Sequence, residues 1–228
     1  MTPKPKEMET IITRALEQER AYDWLGASES YEKALGLIGE HDFSDIGDKF
    51  ERLGHASFKA ARQSETREEF VASCHKALEN CGKAKEFYES ERENRPEVIR
   101  CEAMIAYISY WLAEEPTERK RSIDDCWTLT KKSLNAIDKS LDAPEYIRTF
   151  LLLSSAPEPA FALEWSFETR EKIIKEAVEH GTQAASLLSD ASDPIVTARI
   201  QAKIAIYMFW YSWHFIPSIE DIDCHFFR

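Results

Sequence analysis

This sequence has little glycine and no long apolar run. Only seven of its 228 residues are glycine, and nearly every window of 15 residues has apolar positions spaced i, i+3, i+4 and i+7. The longest uncharged run, residues 204 to 219, is shorter than the roughly 20 residues that cross a bilayer. The sequence therefore predicts helices throughout, and no transmembrane segment.

The sequence also lacks the common catalytic signatures. It has no HExxH, glycine-rich phosphate loop, GxSxG or paired CxxC pattern, so we expect no enzyme and no cofactor. Cys74, His75 and Cys81 resemble a metal cluster only in the linear sequence. A helix turns His75 roughly 100° away from the face that Cys74 and Cys81 share, so no metal site is predicted.

The charge and the cysteines limit the class of partner and the compartment. A formal net charge of −12 argues against nucleic acid, which binds basic surfaces. The first ten residues, MTPKPKEMET, lack the apolar core of a signal peptide. Five cysteines, an odd number, suit reduced thiols better than a disulfide frame: Cys74, Cys81, Cys101, Cys126 and Cys224. These features favour a cytoplasmic protein.

Prolines and capping residues indicate where several helices begin, because proline is tolerated in a helix only in the first turn. Such starts are predicted at Pro96, Pro144 and Pro194. Asp193 is a predicted N-cap for the last of them, and Thr66 with Glu69 forms a predicted capping box. The segment from 154 to 161, SSAPEPAF, is predicted to be an irregular connection.

An internal repeat organises these helices. PEVIR at 96 to 100 and PEYIR at 144 to 148 match at an offset of 48 residues. The second helices repeat as well, since Ala77, Cys81 and Ala84 follow Ala27, Tyr31 and Ala34 by 50 residues. This pattern predicts one all-α domain over 1–228, a right-handed α-solenoid of about nine helices. Its hairpins are expected at 8–39, 43–92, 96–141, 144–189 and 193–216, with a tail at 217–228.

The best-defined repeat lies near the N-terminus. Trp24, Ala27, Tyr31 and Ala34, followed by Leu35 in the wording YEKAL, resemble the second helix of a tetratricopeptide repeat. The later units are longer than that family's, at about 50 residues rather than 34. The resemblance implies stacked helical hairpins and a non-catalytic scaffold or adaptor that binds another protein or peptide. Trp24 and Trp127 are then expected to pack between units.

Four arginines recur in the first helices of successive units: Arg52, Arg100, Arg148 and Arg199. Stacked units would align them into a ladder that holds an acidic peptide, a phosphate or a carboxylate ligand. Alternatively, each arginine pairs with a glutamate of the adjacent unit, for which Glu97 and Glu145 are candidates. The ladder supports a second functional hypothesis, a ligand-sensing module with Arg100, Arg148 and Trp165 around a small anion.

Aromatic residues crowd the last predicted helix: Tyr207, Phe209, Trp210, Tyr211, Trp213 and Phe215. Their rings point around the full circumference, so one packing surface cannot bury all of them. A folded-back tail, a further repeat, a second copy of the chain, another protein or a membrane interface would cover the rest. We therefore predict a partner site at Phe209, Trp210 and Trp213, with a homodimer as one form of it.

Overall fold

A computed structural model describes residues 5–37, 46–91, 95–189 and 192–215. Within these ranges the chain is helical and has no strand, which confirms the predicted all-α class. The ten helices are α1 (Pro5–Arg20), α2 (Trp24–Leu35), α3 (Ile46–Ala61), α4 (Arg67–Glu91), α5 (Pro96–Leu112), α6 (Pro116–Ala136), α7 (Ala143–Leu153), α8 (Pro157–Ala162), α9 (Phe167–Ser186) and α10 (Pro194–Phe215).

The predicted helix starts are confirmed. α5 and α10 begin at Pro96 and Pro194, and Pro144 occupies the second position of α7. Asp193 accepts a hydrogen bond from the Ile195 amide at 2.9 Å. At the start of α4, the hydroxyl of Thr66 accepts from the Glu69 amide at 3.2 Å. Each cap satisfies an amide that has no partner within its own helix.

The connection at 154 to 161 was expected to be irregular, and there the structure differs. It contains the six-residue helix α8, one helix more than the nine expected. The helix begins at Pro157, whose ring suits a first turn. Buried Ala160 and Phe161 hold it in place. Its two prolines, within six residues of sequence, interrupt the helical pattern, and for this reason the sequence did not predict the short helix.

The helices form two compact units, Met1–Ser133 and Leu134–Arg228. In the first unit each of α1 to α4 packs against the helix that follows it. In the second unit α9 packs against α7, α8 and α10. Packing between sequence neighbours is what the predicted hairpins require. The assignment of 1–228 to a single domain stays a prediction.

The first three helices share a core that explains the spacing of small and large residues in α2. Ala27, Tyr31 and Ala34 are fully buried. The Tyr31 ring fills the space among the helices, and its hydroxyl donates to the Glu19 carboxylate of α1 at 2.8 Å. Burial of the ring raises the pKa of the Tyr31 phenol well above its usual value, and the Glu19 carboxylate raises it further.

The equivalent positions in later helices are mostly buried too. Ala77, Cys81 and Ala84 of α4 have no exposed surface, which agrees with the 50-residue offset from α2. Ser133 of α6 is also buried, and its hydroxyl donates to the Pro96 carbonyl of α5 at 2.8 Å. Ala136 departs from the pattern, because it is the last residue of α6 and is exposed.

α3 and α4 approach closely at Gly54. A Cβ atom there would lie 2.6 Å from the Cys81 Sγ and 3.2 Å from the Ala77 carbonyl oxygen. Neither a packed thiol nor a helix backbone can retreat without moving α4. The glycine is therefore required by the close approach, and not by its backbone angles.

We expect Gly54→Val to lower the free energy of unfolding by about 2–3 kcal/mol, as overpacking does in dense cores. Gly82→Ala is the matched control, because a Cβ there meets nothing within 4 Å. That control should be neutral or stabilise by up to about 1 kcal/mol, since alanine favours a helix. Urea denaturation followed by far-UV circular dichroism measures both. Equal stability of the two variants would contradict the close approach at Gly54.

Candidate functional site

The arginines of the predicted ladder have different surroundings. Arg100 of α5 is completely buried, and its guanidinium binds the Glu51 carboxylate of α3 through two hydrogen bonds. The second of these joins a terminal guanidinium nitrogen to Oε2 at 2.7 Å. The hydroxyl of Tyr88, from α4, donates to the same Oε2 at 3.1 Å. One buried cluster thus links α3, α4 and α5.

Arg52 directly follows Glu51 on α3, so the helix turns its side chain roughly 100° away from Glu51, and it is half-buried. Its Nε donates to Asp48, four residues earlier on α3, at 2.9 Å. Arg148 of α7 and Arg199 of α10 are half-buried in the second unit. Arg52 and Arg100 thus bind different carboxylates of α3, and the alignment of all four arginines stays a prediction.

The structure also shows which arginine binds Glu97, one of the two proposed glutamate partners. Arg100 pairs with Glu51 of the preceding hairpin, whereas Glu97 binds Arg95 at 2.9 Å. Sequence reasoning missed Glu51, because a single acidic residue on an amphipathic helix usually faces solvent. Its position on the buried face of α3, between Gly47 and Gly54, is the signal that was available.

The cysteines within the described residues are buried free thiols: Cys74, Cys81, Cys101 and Cys126. Cys224 lies outside the described residues. Burial raises the pKa of the Cys74 thiol to about 11 and that of Cys126 to about 12. Burial also raises the pKa of Tyr146 to about 12. All of these groups resist losing their proton in the folded state.

These raised pKa values predict that the protein loses stability in alkali. Above about pH 9 the unfolded chain releases a thiol proton that the folded chain retains, so the free energy of unfolding falls with rising pH. For Cys74 the loss spans pH 9 to 11, at about 1.4 kcal/mol per pH unit. Urea denaturation at pH 7, 9 and 10.5 measures this decline. The Cys74→Ala chain should decline less steeply than the wild type, and identical slopes would contradict the prediction.

Exposed apolar side chains recur along α10. Seven of them follow one stripe along the helix, which we call the α10 stripe: Ile195, Ala198, Ala202, Ala205, Ile206, Phe209 and Trp213. The spacing of three and four residues places them all within about 100° of the helix circumference. Trp213 is 74% exposed and Phe209 is 62% exposed. Their rings lie against each other, with centroids 5.9 Å apart.

The opposite face of α10 fixes the helix to its own unit. Tyr207 is buried, and its hydroxyl donates to the Ser154 carbonyl. Lys203 binds Glu158 of α8 at 2.7 Å. Ile204 packs where α9 has Gly181, and a Cβ at that glycine would lie 2.8 Å from the isoleucine side chain. Because this face is anchored, the α10 stripe points away from the core of its own unit.

The three predicted partner residues on α10 do not lie on one surface. Phe209 and Trp213 belong to the stripe, whereas Trp210 packs edge-on against Phe161 of α8, with ring centroids 5.1 Å apart. The rings of Phe209 and Trp210 thus lie on different sides of the helix. Sequence reasoning missed the three alanines of the stripe, although their spacing of four and three residues was a visible signal.

Exposed aromatic rings also occur elsewhere in the second unit. Trp165 is 94% exposed and Phe167 is 63% exposed, at the start of α9. Phe167 contacts Phe215 of α10, with ring centroids 4.8 Å apart. Trp165 is a single exposed ring by comparison, and scattered single exposed rings are normal on protein surfaces. It therefore provides a control for the α10 stripe.

No protein-family model matches the chain, and no curated protein aligns with it significantly. Among the described residues, no helix is long and apolar enough to cross a membrane. In the same ranges no three histidine, cysteine or acidic side chains are grouped closely enough to hold a metal ion.

Proposed function

We propose that this chain is a tetratricopeptide-like helical repeat protein that acts as a non-catalytic interaction scaffold. The observation that carries the proposal is the α10 stripe, which exposes seven apolar residues and no charged one. Large contiguous apolar patches on soluble proteins serve mainly as binding surfaces for other proteins. Tryptophan and phenylalanine are among the residues enriched at such interfaces, and tryptophan is frequent at their centres.

The rest of the molecule supports a binding function in the cytoplasm. The helices pack on their sequence neighbours, as they do in repeat proteins that present extended binding surfaces. The four buried free thiols suit a reducing compartment. A formal net charge of −12 favours neutral or basic partners over nucleic acid. These features support the class of function, and the α10 stripe supports the location.

The alternative, anion sensing by the arginine ladder, receives less support. The guanidinium of Arg100 already holds a buried carboxylate, so binding an external anion there would separate a buried ion pair. Breaking such a pair costs about 3–5 kcal/mol. A ligand would have to supply that free energy before it gained any net affinity.

Native mass spectrometry of the gently purified chain tests the proposed function. We expect a bound polypeptide, either a second copy or another protein, on the wild type and on Trp165→Ser. The Phe209→Ser/Trp213→Ser double variant should release it. A bare wild-type chain that carries only a small anion would overturn the proposal and favour the sensing hypothesis.

A further inference from the structure

We infer that the occupant of the α10 stripe is a second copy of this chain, packed antiparallel about a two-fold axis between Ala205 and Ile206. This inference rests on the proposed function and specifies its partner. It is carried by the order of small and large residues along the stripe. In a two-fold interface the same surface must complement itself, which is a strong constraint on that order.

The stripe satisfies this constraint. Alanines occupy its N-terminal half, at 198 and 202, and aromatic rings occupy its C-terminal half, at 209 and 213. Turning a second copy around the axis places Trp213 opposite Ala198 and Phe209 opposite Ala202. Ala205 and Ile206, on the two edges of the stripe beside the axis, each meet the same residue of the other copy. Each aromatic ring thus faces an alanine, which leaves space for it between the two helices.

A parallel arrangement does not have this property. It would set Trp213 against Trp213 and Phe209 against Phe209 at one end. At the other end alanine would face alanine, and the rings would hold the helices too far apart to close that gap. Helices pack at interaxial distances of 8–10 Å with side chains in opposing grooves. Of these two arrangements, the antiparallel register keeps one such distance from Ala198 to Trp213.

The distribution of charge is compatible with a second copy at the α10 stripe. Two copies that each carry a formal net charge of −12 repel one another over most of their surfaces. The stripe has no charged residue, so the antiparallel register places no like charges in direct contact. Lys203, the basic residue nearest the axis, is held by Glu158 on the anchored face of α10. Self-association is thus least opposed at this surface.

Cysteine cross-linking tests the register. Single cysteines are placed at the exposed positions 205 and 198, in a Cys224→Ser background that removes one competing thiol. In the antiparallel dimer the two residues at 205 lie beside the axis. The two at 198 are separated by 15 helical steps, about 22 Å, which is too far for a disulfide. After mild oxidation, we expect Ala205→Cys to yield at least ten times more cross-linked dimer than Ala198→Cys.

A pair of tryptophan substitutions provides the matched control. Ala202→Trp fills the space that Phe209 of the other copy requires, so the dimer should dissociate. Gln201→Trp adds the same side chain at the neighbouring exposed position, beside the stripe, and should leave the dimer intact. Light scattering measures the mass of both, and circular dichroism checks that both remain folded.

Other outcomes distinguish this inference from the proposed function. Equal cross-linking at 198 and 205 would overturn the antiparallel register. A monomeric wild type that binds a different protein through Phe209 and Trp213 would overturn self-association and leave the scaffold function standing. A monomer with no bound polypeptide in native mass spectrometry would overturn both.

Discussion

Replacing Arg100 with methionine should lower the free energy of unfolding by about 3–5 kcal/mol. The variant leaves the Glu51 carboxylate buried in the core of the first unit without its guanidinium. Glu51 is only 2% exposed, so water cannot replace the lost partner without opening the contact between α3 and α5. Urea denaturation followed by circular dichroism measures the loss.

Two further variants separate the ion pair from general packing. Arg52→Met removes a half-buried arginine from a pair with Asp48 on the same helix, and such pairs contribute less than about 1 kcal/mol. The Arg100→Met/Glu51→Met chain removes both buried charges, so it should be more stable than Arg100→Met alone. If Arg100→Met and Arg52→Met cost the same, the buried cluster does not hold α3 and α5 together.

Replacing Trp24 with alanine should cost about 3–5 kcal/mol, the usual range for a buried tryptophan. Trp24 begins α2, is 5% exposed, and packs edge-on against His55 of α3 at 5.4 Å between ring centroids. It therefore joins the first hairpin to the second. Trp127→Ala is expected to have a similar effect, because that ring is 6% exposed in α6.

Trp165→Ala is the control for both substitutions. This tryptophan is 94% exposed, so its removal should change the free energy of unfolding by no more than about 0.5 kcal/mol. Thermal denaturation of the three variants beside the wild type makes the comparison. Melting curves for Trp24→Ala and Trp127→Ala that coincide with the wild type would contradict the repeat packing.

Much of the fold follows from local features of the sequence. Pro96, Pro194 and the Asp193 cap fix helix starts because their effect depends on a single turn of backbone. The periodic burial of Ala27, Tyr31 and Ala34 follows from helical spacing alone. The helix α8 was missed because proline, alanine and phenylalanine within six residues give no complete period.

The candidate site was harder to predict, because it depends on contacts between distant residues. Phe209 and Trp210 are adjacent in sequence and equally aromatic, yet one is exposed and the other packs on Phe161. The helix turns them about 100° apart, and the placement of α8 decides which of the two is covered. The pairing of Arg100 with Glu51 likewise joins positions 49 residues apart. Periodicity shows which face is apolar, but it does not show which apolar residues remain uncovered.

One measurement tests both the proposal that the α10 stripe binds a polypeptide and the inference that this polypeptide is a second copy. Sedimentation equilibrium of the purified wild-type chain should give twice the chain mass of 26.3 kDa at micromolar concentration. The Phe209→Ser/Trp213→Ser chain should give the mass of a single chain, and Trp165→Ser should match the wild type. A single-chain mass for the wild type at every concentration, unchanged by the double substitution, would contradict self-association through the stripe.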